Sequence, residues 1–146
     1  MKVKFMLNGV EKTVENIESQ TLFNYLRDNE FKSVKYGCDD GRCGSCAVLI
    51  DGKSINSCLV LMHTIDKKII ETVEYFAKDN KLHHMQENFI DKGAIQCGYC
   101  TPGMLISLEA LERENQNTNE DDIRDSLAGN LCRCTGYVKP VEAAKK

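Results

Sequence analysis

Tryptophan is absent from the 146 residues, and no charge of one sign dominates. Nineteen Lys and Arg stand against 22 Asp and Glu, a formal net charge of −3. Acidic and basic residues are mixed along the chain. That leaves no basic stripe for nucleic acid and no polybasic patch for a membrane surface. No apolar run approaches the ~20 residues that a membrane span needs. The opening stretch, MKVKFMLNGVEK, has no apolar core long enough for a signal peptide. These absences predict a soluble, cytoplasmic chain of one domain or two small ones.

Cysteine, by contrast, is abundant, with eight residues. An even count is compatible with four disulfides. The absence of an export signal and the reducing state of the cytosol favour metal ligation instead. The cysteines fall into two sets, and so does the chain. In the first half, Val3, Phe5 and Leu7 alternate with Lys2, Lys4 and Met6, the period of a half-buried strand. Asn8-Gly9 is the preferred pair for a type I′ hairpin turn, with a returning strand over Lys12 to Glu15. Thr21 is placed to cap a short helix with Leu22, Phe23, Tyr25 and Leu26 on one face. Ala47 to Ile50 reads as an apolar strand turned by Asp51-Gly52, and residues 68–73 as one more strand.

The second half changes to helical spacing. Leu82, Met85, Phe89 and Ile90 recur on it, as do Met104, Leu105, Leu108 and Leu111. Asn119 with Asp122 three residues on is a variant capping box, and Ile123 and Leu127 are the inner face that follows. Pro140 to Lys146 can form a last helix. The polar stretch Glu112 to Asp122 reads as a solvated loop, and the polar KDNK at Lys78 to Lys81 as the boundary. The expected architecture is therefore α+β. A small mixed sheet with one helix occupies residues 1–78, and an all-α four-helix domain occupies residues 79–146.

Cys38, Cys43, Cys46 and Cys58 form C-x4-C-x2-C-x11-C. The spacing of the first three is that of plant-type ferredoxins, which hold a [2Fe–2S] cluster with four thiolates. A loop wrapping a cluster must keep bulky side chains out and aim backbone N–H groups inward, which suits Gly37, Gly41 and Gly44. Structural zinc prefers two CxxC-type knuckles brought together, and three ligands in nine residues with an x4 gap suit it poorly. Arg42 is read as a solvated side chain. The second set is Cys97-x2-Cys100 and Cys132-x-Cys134. Alone, a CxxC with a distant CxC is ambiguous between zinc and iron–sulfur. Thr101-Pro102 predicts a helix start directly after Cys100, whose positive end would favour thiolates nearby.

Taken together, SVKYGCDDGRCGSC, NSCL, GAIQCGYCTPGM and GNLCRCTGY resemble the small iron–sulfur subunit of the molybdenum hydroxylases, the xanthine dehydrogenase and aldehyde oxidoreductase family. The resemblance runs from about residue 3 to residue 141. It implies a plant-type ferredoxin-like (β-grasp) domain followed by a four-helix domain, each with one [2Fe–2S] cluster. Cys38, Cys43, Cys46 and Cys58 would bind the first, and Cys97, Cys100, Cys132 and Cys134 the second. It implies an electron-transfer subunit with no independent substrate chemistry. A large molybdopterin-binding subunit and a medium FAD-binding subunit would be its partners, in a dimer of heterotrimers. Gln96 and Cys134 would lie against the molybdopterin cofactor; the plainer alternative for Gln96 is a buried amide. The helical-half cluster would be buried at the large-subunit interface.

The chain also departs from the family pattern. Asp39-Asp40-Gly41 replaces a common Gly-Glu-Gly, and Ser45 and Ala47 replace alanine and threonine. Tyr75 stands where glycine is usual, and His84 where proline is frequent. His83 and His84 are expected at the surface or an interface, not as metal ligands. The chain stops soon after GYVKPVEAA with no flavin or molybdenum domain, which predicts a separate subunit. A free-standing ferredoxin and a zinc-binding interaction module are the competing classes.

Overall fold

The computed structural model describes residues 2–15 and 19–145. Five strands form one mixed sheet in the order β2-β1-β5-β3-β4. The strands are β1 (Lys2–Leu7), β2 (Val10–Glu15), β3 (Ala47–Ile50), β4 (Lys53–Asn56) and β5 (Ile69–Glu71). Helix α1 (Leu22–Asp28) belongs to this half, and α2 (His84–Asp91), α3 (Thr101–Glu114), α4 (Glu120–Leu127) and α5 (Val138–Ala144) form the other. No helix among the described residues is long and apolar enough to cross a membrane.

Local chemistry accounts for most of these elements. Val3, Phe5 and Leu7 are buried while Lys2 and Lys4 are exposed, as the period-two pattern requires. Asn8 and Gly9 take positive φ of 50° and 79°, the type I′ geometry that matches strand twist. Asp51-Gly52 repeats it at 50° and 81°. The Thr21 hydroxyl accepts from Asn24 N–H at 3.2 Å and starts α1. At Asn119 both halves of the capping box are made, each at 3.0 Å.

Strand β3 is apolar on both faces because both are covered. Val48 packs with Leu22, Leu26 and Met62 on the α1 side. Ala47 and Leu49 pack with Met104, Leu105 and Leu108 of α3 on the other. This second core also takes Phe76, Met85, Phe89, Ile123 and Val141. Complete burial of a side chain such as Phe89 or Leu49 stabilises the fold by about 1.5–3 kcal/mol. A polar tie joins the halves as well: Arg113 of α3 forks onto the Glu71 carboxylate of β5, with Nη2–Oε1 at 3.3 Å and a shorter Nη1–Oε2 contact. Arg113 Nε also donates to Glu109 at 2.7 Å.

Several expectations shift. The strand expected over 68–73 covers only Ile69–Glu71, since Val73 begins a single 3₁₀ turn. Leu82 and Ile90 are exposed; only Met85 and Phe89, one turn apart, face the core from α2. Phe23 is partly buried beside a fully buried Leu22 and Leu26. Helix α5 begins at Val138, two residues before Pro140, after Tyr137 in a left-handed conformation at φ 66°. Its expected end at Lys146 lies outside the described residues. Tyr75 lies over the hairpin turn, its ring within 3.4 Å of where a Cβ on Gly9 would sit.

Candidate metal centres

The β3–β4 hairpin sets the first cysteine group. Its register pairs Ala47 with Asn56, which brings Cys46 and Ser57 level at the open end. Ser57 bonds the Cys46 carbonyl through its N–H at 3.2 Å and its hydroxyl at 2.7 Å, and Cys58 follows directly. Asn56 holds the Gly41 carbonyl at 2.7 Å, anchoring the loop that carries Cys38 and Cys43. All four cysteines line one cavity together with Tyr36 and Phe23. The thiols approach in two pairs, Cys38 with Cys43 and Cys46 with Cys58.

Backbone N–H groups point at these sulfurs. Cys43 N–H meets Cys38 Sγ at 3.4 Å and Ser45 N–H meets Cys43 Sγ at 3.5 Å. The Cys43 N–H is the main reason the Cys38 thiol lies below its ordinary value. Burial pushes Cys58 up to about 12. A metal must therefore displace a tightly held proton at Cys58. A Cβ on Gly37 would stand 2.7 Å from Cys43 Sγ, so only glycine leaves the sulfur its space. Arg42 is solvated, as expected, and pairs with Asp40.

The second group comes from two interhelical loops. Cys97 and Cys100 lie between α2 and α3, with Cys100 at the N-terminal cap of α3 and Pro102 in its first turn. Cys132 and Cys134 lie between α4 and α5. Here too the thiols meet in pairs, Cys97 with Cys134 and Cys100 with Cys132. Tyr99 N–H donates to Cys97 Sγ at 3.5 Å and is the first cause holding that thiol low; Lys35 contributes through its charge. Burial pushes Cys100 up to about 12. At Cys132 burial works the same way, but hydrogen bonds from the Thr135 hydroxyl, at 3.1 Å, and backbone prevail and bring it to about 7. Tyr137 fixes the loop, accepting from Cys132 N–H at 3.0 Å and donating to the Asn130 carbonyl at 2.8 Å.

Both groups thus offer two pairs of thiols lined by N–H donors. That donor set fits a two-iron cluster, which asks for two thiolates per iron. Among the described residues, no three His, Cys, Asp or Glu are grouped to hold a single ion. The two sets differ in exposure. Cys43 and Cys46 are buried, whereas Cys97 and Cys134 are exposed. Gln96 is exposed beside Cys97, so the alternative of a buried amide does not describe it. His84 is exposed and bonds Glu112 at 2.8 Å; His83 packs against Phe76, ring centroids 5.3 Å apart, between the halves.

Cys43 and Gly44 are expected in a cluster loop, but the roles of Leu131, Asn130 and Gly103 in joining the two groups have no reading in the sequence. Leu131 N–H donates to the Cys43 carbonyl at 2.9 Å. Asn130, 2% exposed, donates to the Gly44 carbonyl at 3.3 Å. Gly44 (φ 70°) abuts Gly103 of α3 so closely that a Cβ on Gly103 would sit 2.3 Å from Gly44 O. Their only sequence signal is position, next to ligand motifs.

The description "2Fe-2S iron-sulfur cluster binding domain" matches residues 5–69, and "[2Fe-2S] binding domain" matches residues 72–145. The xanthine dehydrogenase iron-sulfur-binding subunit of Escherichia coli O157:H7 is 43% identical over 138 residues, covering 92% of this chain and 86% of that protein. Among solved structures, quinoline 2-oxidoreductase from Pseudomonas putida 86 superposes with a TM-score of 0.92 at 38% identity, over 99% of this chain and 90% of that one. The aldehyde oxidoreductase of Desulfovibrio desulfuricans ATCC 27774 reaches 0.93 at 35% identity, over 98% of this chain but only 16% of that longer one. The chain belongs to the small [2Fe–2S] iron–sulfur subunits of the molybdenum hydroxylase family, and the expected ferredoxin-like and helical architecture holds. It is a subunit of an oxidoreductase complex of the xanthine dehydrogenase type.

Proposed function

We propose that this family member carries electrons from a molybdopterin centre on a large partner subunit, through two [2Fe–2S] clusters, to a flavin on a medium FAD-binding partner. Cys38, Cys43, Cys46 and Cys58 hold one cluster; Cys97, Cys100, Cys132 and Cys134 hold the other. When bound, the clusters supply one-electron redox chemistry at potentials set by hydrogen bonds to sulfur, net charge and exposure. The chain's own work is placement.

The observation that carries this reading is the junction between the cysteine groups. A path from Cys43 to Cys132 is covalent apart from one hydrogen bond, Leu131 N–H to Cys43 O. Asn130 and the Gly44–Gly103 approach hold that bond in place. Two metal centres so linked suit electron transfer, and a zinc-based interaction module has no use for the link. Gln96, Cys97 and Cys134 are exposed, as are Ile95, Tyr99, Leu131 and Val138, which lie within four residues of one or another of these cysteines in sequence. Exposed sulfur with exposed apolar residues close by in sequence supports docking of the large partner there, with Gln96 and Cys134 toward the molybdopterin. The buried pair Cys43 and Cys46 supports a first cluster shielded by its own half. Assembly as a dimer of heterotrimers in the cytoplasm completes the proposal.

The test is anaerobic purification of the tagged chain with its native partners. Iron, zinc and molybdenum are then quantified alongside EPR of the dithionite-reduced sample. Four irons per chain, two distinct [2Fe–2S] signals, and co-purifying molybdenum and flavin are expected. Two irons with one signal would remove the second group from the reading. Zinc without EPR signals would overturn both.

A further inference from the structure

Lys35 belongs to the first cysteine loop by sequence, three residues before Cys38. Its backbone N–H is fixed there, on the Ser45 carbonyl at 3.0 Å. Its side chain crosses to the other loop. Nζ donates to the Gly98 carbonyl at 3.0 Å and lies 5.1 Å from the centroid of the Tyr99 ring. The Tyr99 hydroxyl makes the return contact, donating to the Tyr36 carbonyl. No carboxylate among the described residues forms an ion pair with Lys35. One loop thus lends the other a half-buried cation with no counter-charge of its own. Arg133, between Cys132 and Cys134, is exposed, where water and salt screen it.

The carbonyl that Lys35 grips has a particular neighbour. Gly98 C=O and Tyr99 N–H are two ends of one peptide group, and Tyr99 N–H is the donor to Cys97 Sγ at 3.5 Å. A cation on the oxygen polarises that peptide and strengthens its N–H toward sulfur. Charge and hydrogen bond act in the same direction. Reduction adds one negative charge to a site of four thiolates, and both effects favour the more negative state.

We propose that Lys35 is a positioning residue for the electron relay: its ammonium, seated on the Gly98 carbonyl, selectively stabilises the reduced state at the Cys97–Cys134 centre and so sets the step between the two centres. This rests on the two-cluster reading above. It assigns the chain's own first half a role in tuning the second.

The experiment is an EPR-monitored redox titration of the purified complex, with each one-electron reduction supplied by mediators at a controlled potential. Wild type is compared with Lys35→Met, Lys35→Gln, Lys35→Arg and Tyr99→Phe. The signal of the helical half is identified by its alteration in Cys134→Ser. In Lys35→Met the reduced-to-oxidised ratio of that signal at fixed potential should fall about tenfold, equivalent to 59 mV for a one-electron couple. The first-half signal should stay where it is, and Lys35→Arg should recover most of the shift. Lys35→Gln, which keeps polarity without charge, should follow Lys35→Met and serves if that variant fails to assemble. Tyr99→Phe keeps both the ammonium and the backbone donor and should titrate close to wild type. An unmoved helical-half signal would overturn the proposal. So would equal shifts of both signals, or a Lys35→Arg or Tyr99→Phe shift as large as that of Lys35→Met. A wild-type complex with only one signal is a different failure, that of the two-cluster reading itself, and is seen before any variant is made.

Discussion

Replacing Gly103 with alanine adds one methyl group at the point where the two halves meet. The new Cβ would lie 2.3 Å from Gly44 O, 3.2 Å from Gly44 C and 3.1 Å from Asn130 Nδ2, whereas ordinary contact begins near 3.4 Å. Backbone must therefore separate by roughly an ångström, and overpacking of this kind costs about 1–3 kcal/mol. The neighbouring Leu131–Cys43 bond, at 2.9 Å, would stretch and lose up to about 1 kcal/mol. Against this, alanine is favoured over glycine inside a helix by about 1 kcal/mol. With both costs at mid-range the net expectation is a loss of about 1.5 kcal/mol, or a melting temperature lower by about 3–6 °C for a chain of this size. Gly129→Ala is the control. It lies next to Asn130, has no positive φ, and its Cβ would meet nothing within 4 Å. Its effect should stay within about 0.5 kcal/mol. Circular dichroism melts of the cluster-loaded subunit under argon, at one scan rate, separate the two. If Gly103→Ala melts with Gly129→Ala and wild type, the close approach carries no weight and the junction argument fails.

Two further perturbations test the packing between the halves. Arg113→Met removes the cation from Glu71 (9% exposed) and Glu109 (8% exposed). Breaking a buried pair costs about 3–5 kcal/mol, reduced here to about 2–3 because the Arg113 side chain is itself over a third exposed. Urea unfolding should show a lower midpoint with an unchanged slope, and adding Glu71→Gln should recover part of the loss; no recovery would mean that packing, not charge, is at stake. Burial, above all, holds His83 below the usual histidine range, with Glu109 opposing. The unfolded chain therefore binds a proton that the folded ring refuses, so stability is present above the unfolded value of about 6.5 and declines as pH falls through it. His83→Gln should flatten that decline between about pH 8 and 5.5; an unchanged acid slope would assign it to other groups.

Features decided by neighbours in sequence are legible in the sequence itself. Asn8-Gly9 and Asp51-Gly52 turn as expected because φ > 0 is a property of the residue pair. The Asn119–Asp122 box and the start of α3 after Cys100 are local hydrogen-bond chemistry. The cysteine groupings were legible because their spacing is a local pattern, and the resemblance covers nearly the whole chain. What could not be read depends on partners far along the chain. Leu82 and Ile90 fit a helical stripe, yet only tertiary packing decides which side of α2 is covered, and it chose Met85 and Phe89. The buried Glu71 at the end of β5 is explained only by Arg113, 42 residues on, which claims its carboxylate. Lys35 looked like any lysine, since the carbonyl that gives it meaning is 63 residues away. The place of Gly103 likewise depends on Gly44, a residue of the other half that stands against it.

The unequal exposure of the two cysteine groups bears on how the proposed relay divides its tuning. At the first group the surroundings come from the chain itself: the Gly37 space, the N–H groups of Cys43 and Ser45, and buried Cys43 and Cys46. At the second, Cys97 and Cys134 face outward, so part of the environment is left to whatever covers Ile95, Tyr99 and Leu131. Solvent exposure is one determinant of cluster potential, alongside charge and hydrogen bonds to sulfur. A centre exposed in the lone chain has a potential that docking can alter. A fixed internal cation at Lys35 acts before and after docking alike. The Gly98 grip works opposite in sign to burial, favouring the more negative state that desolvation opposes. It supplies a contribution to the electrostatics that belongs to this chain, whichever partner closes over it.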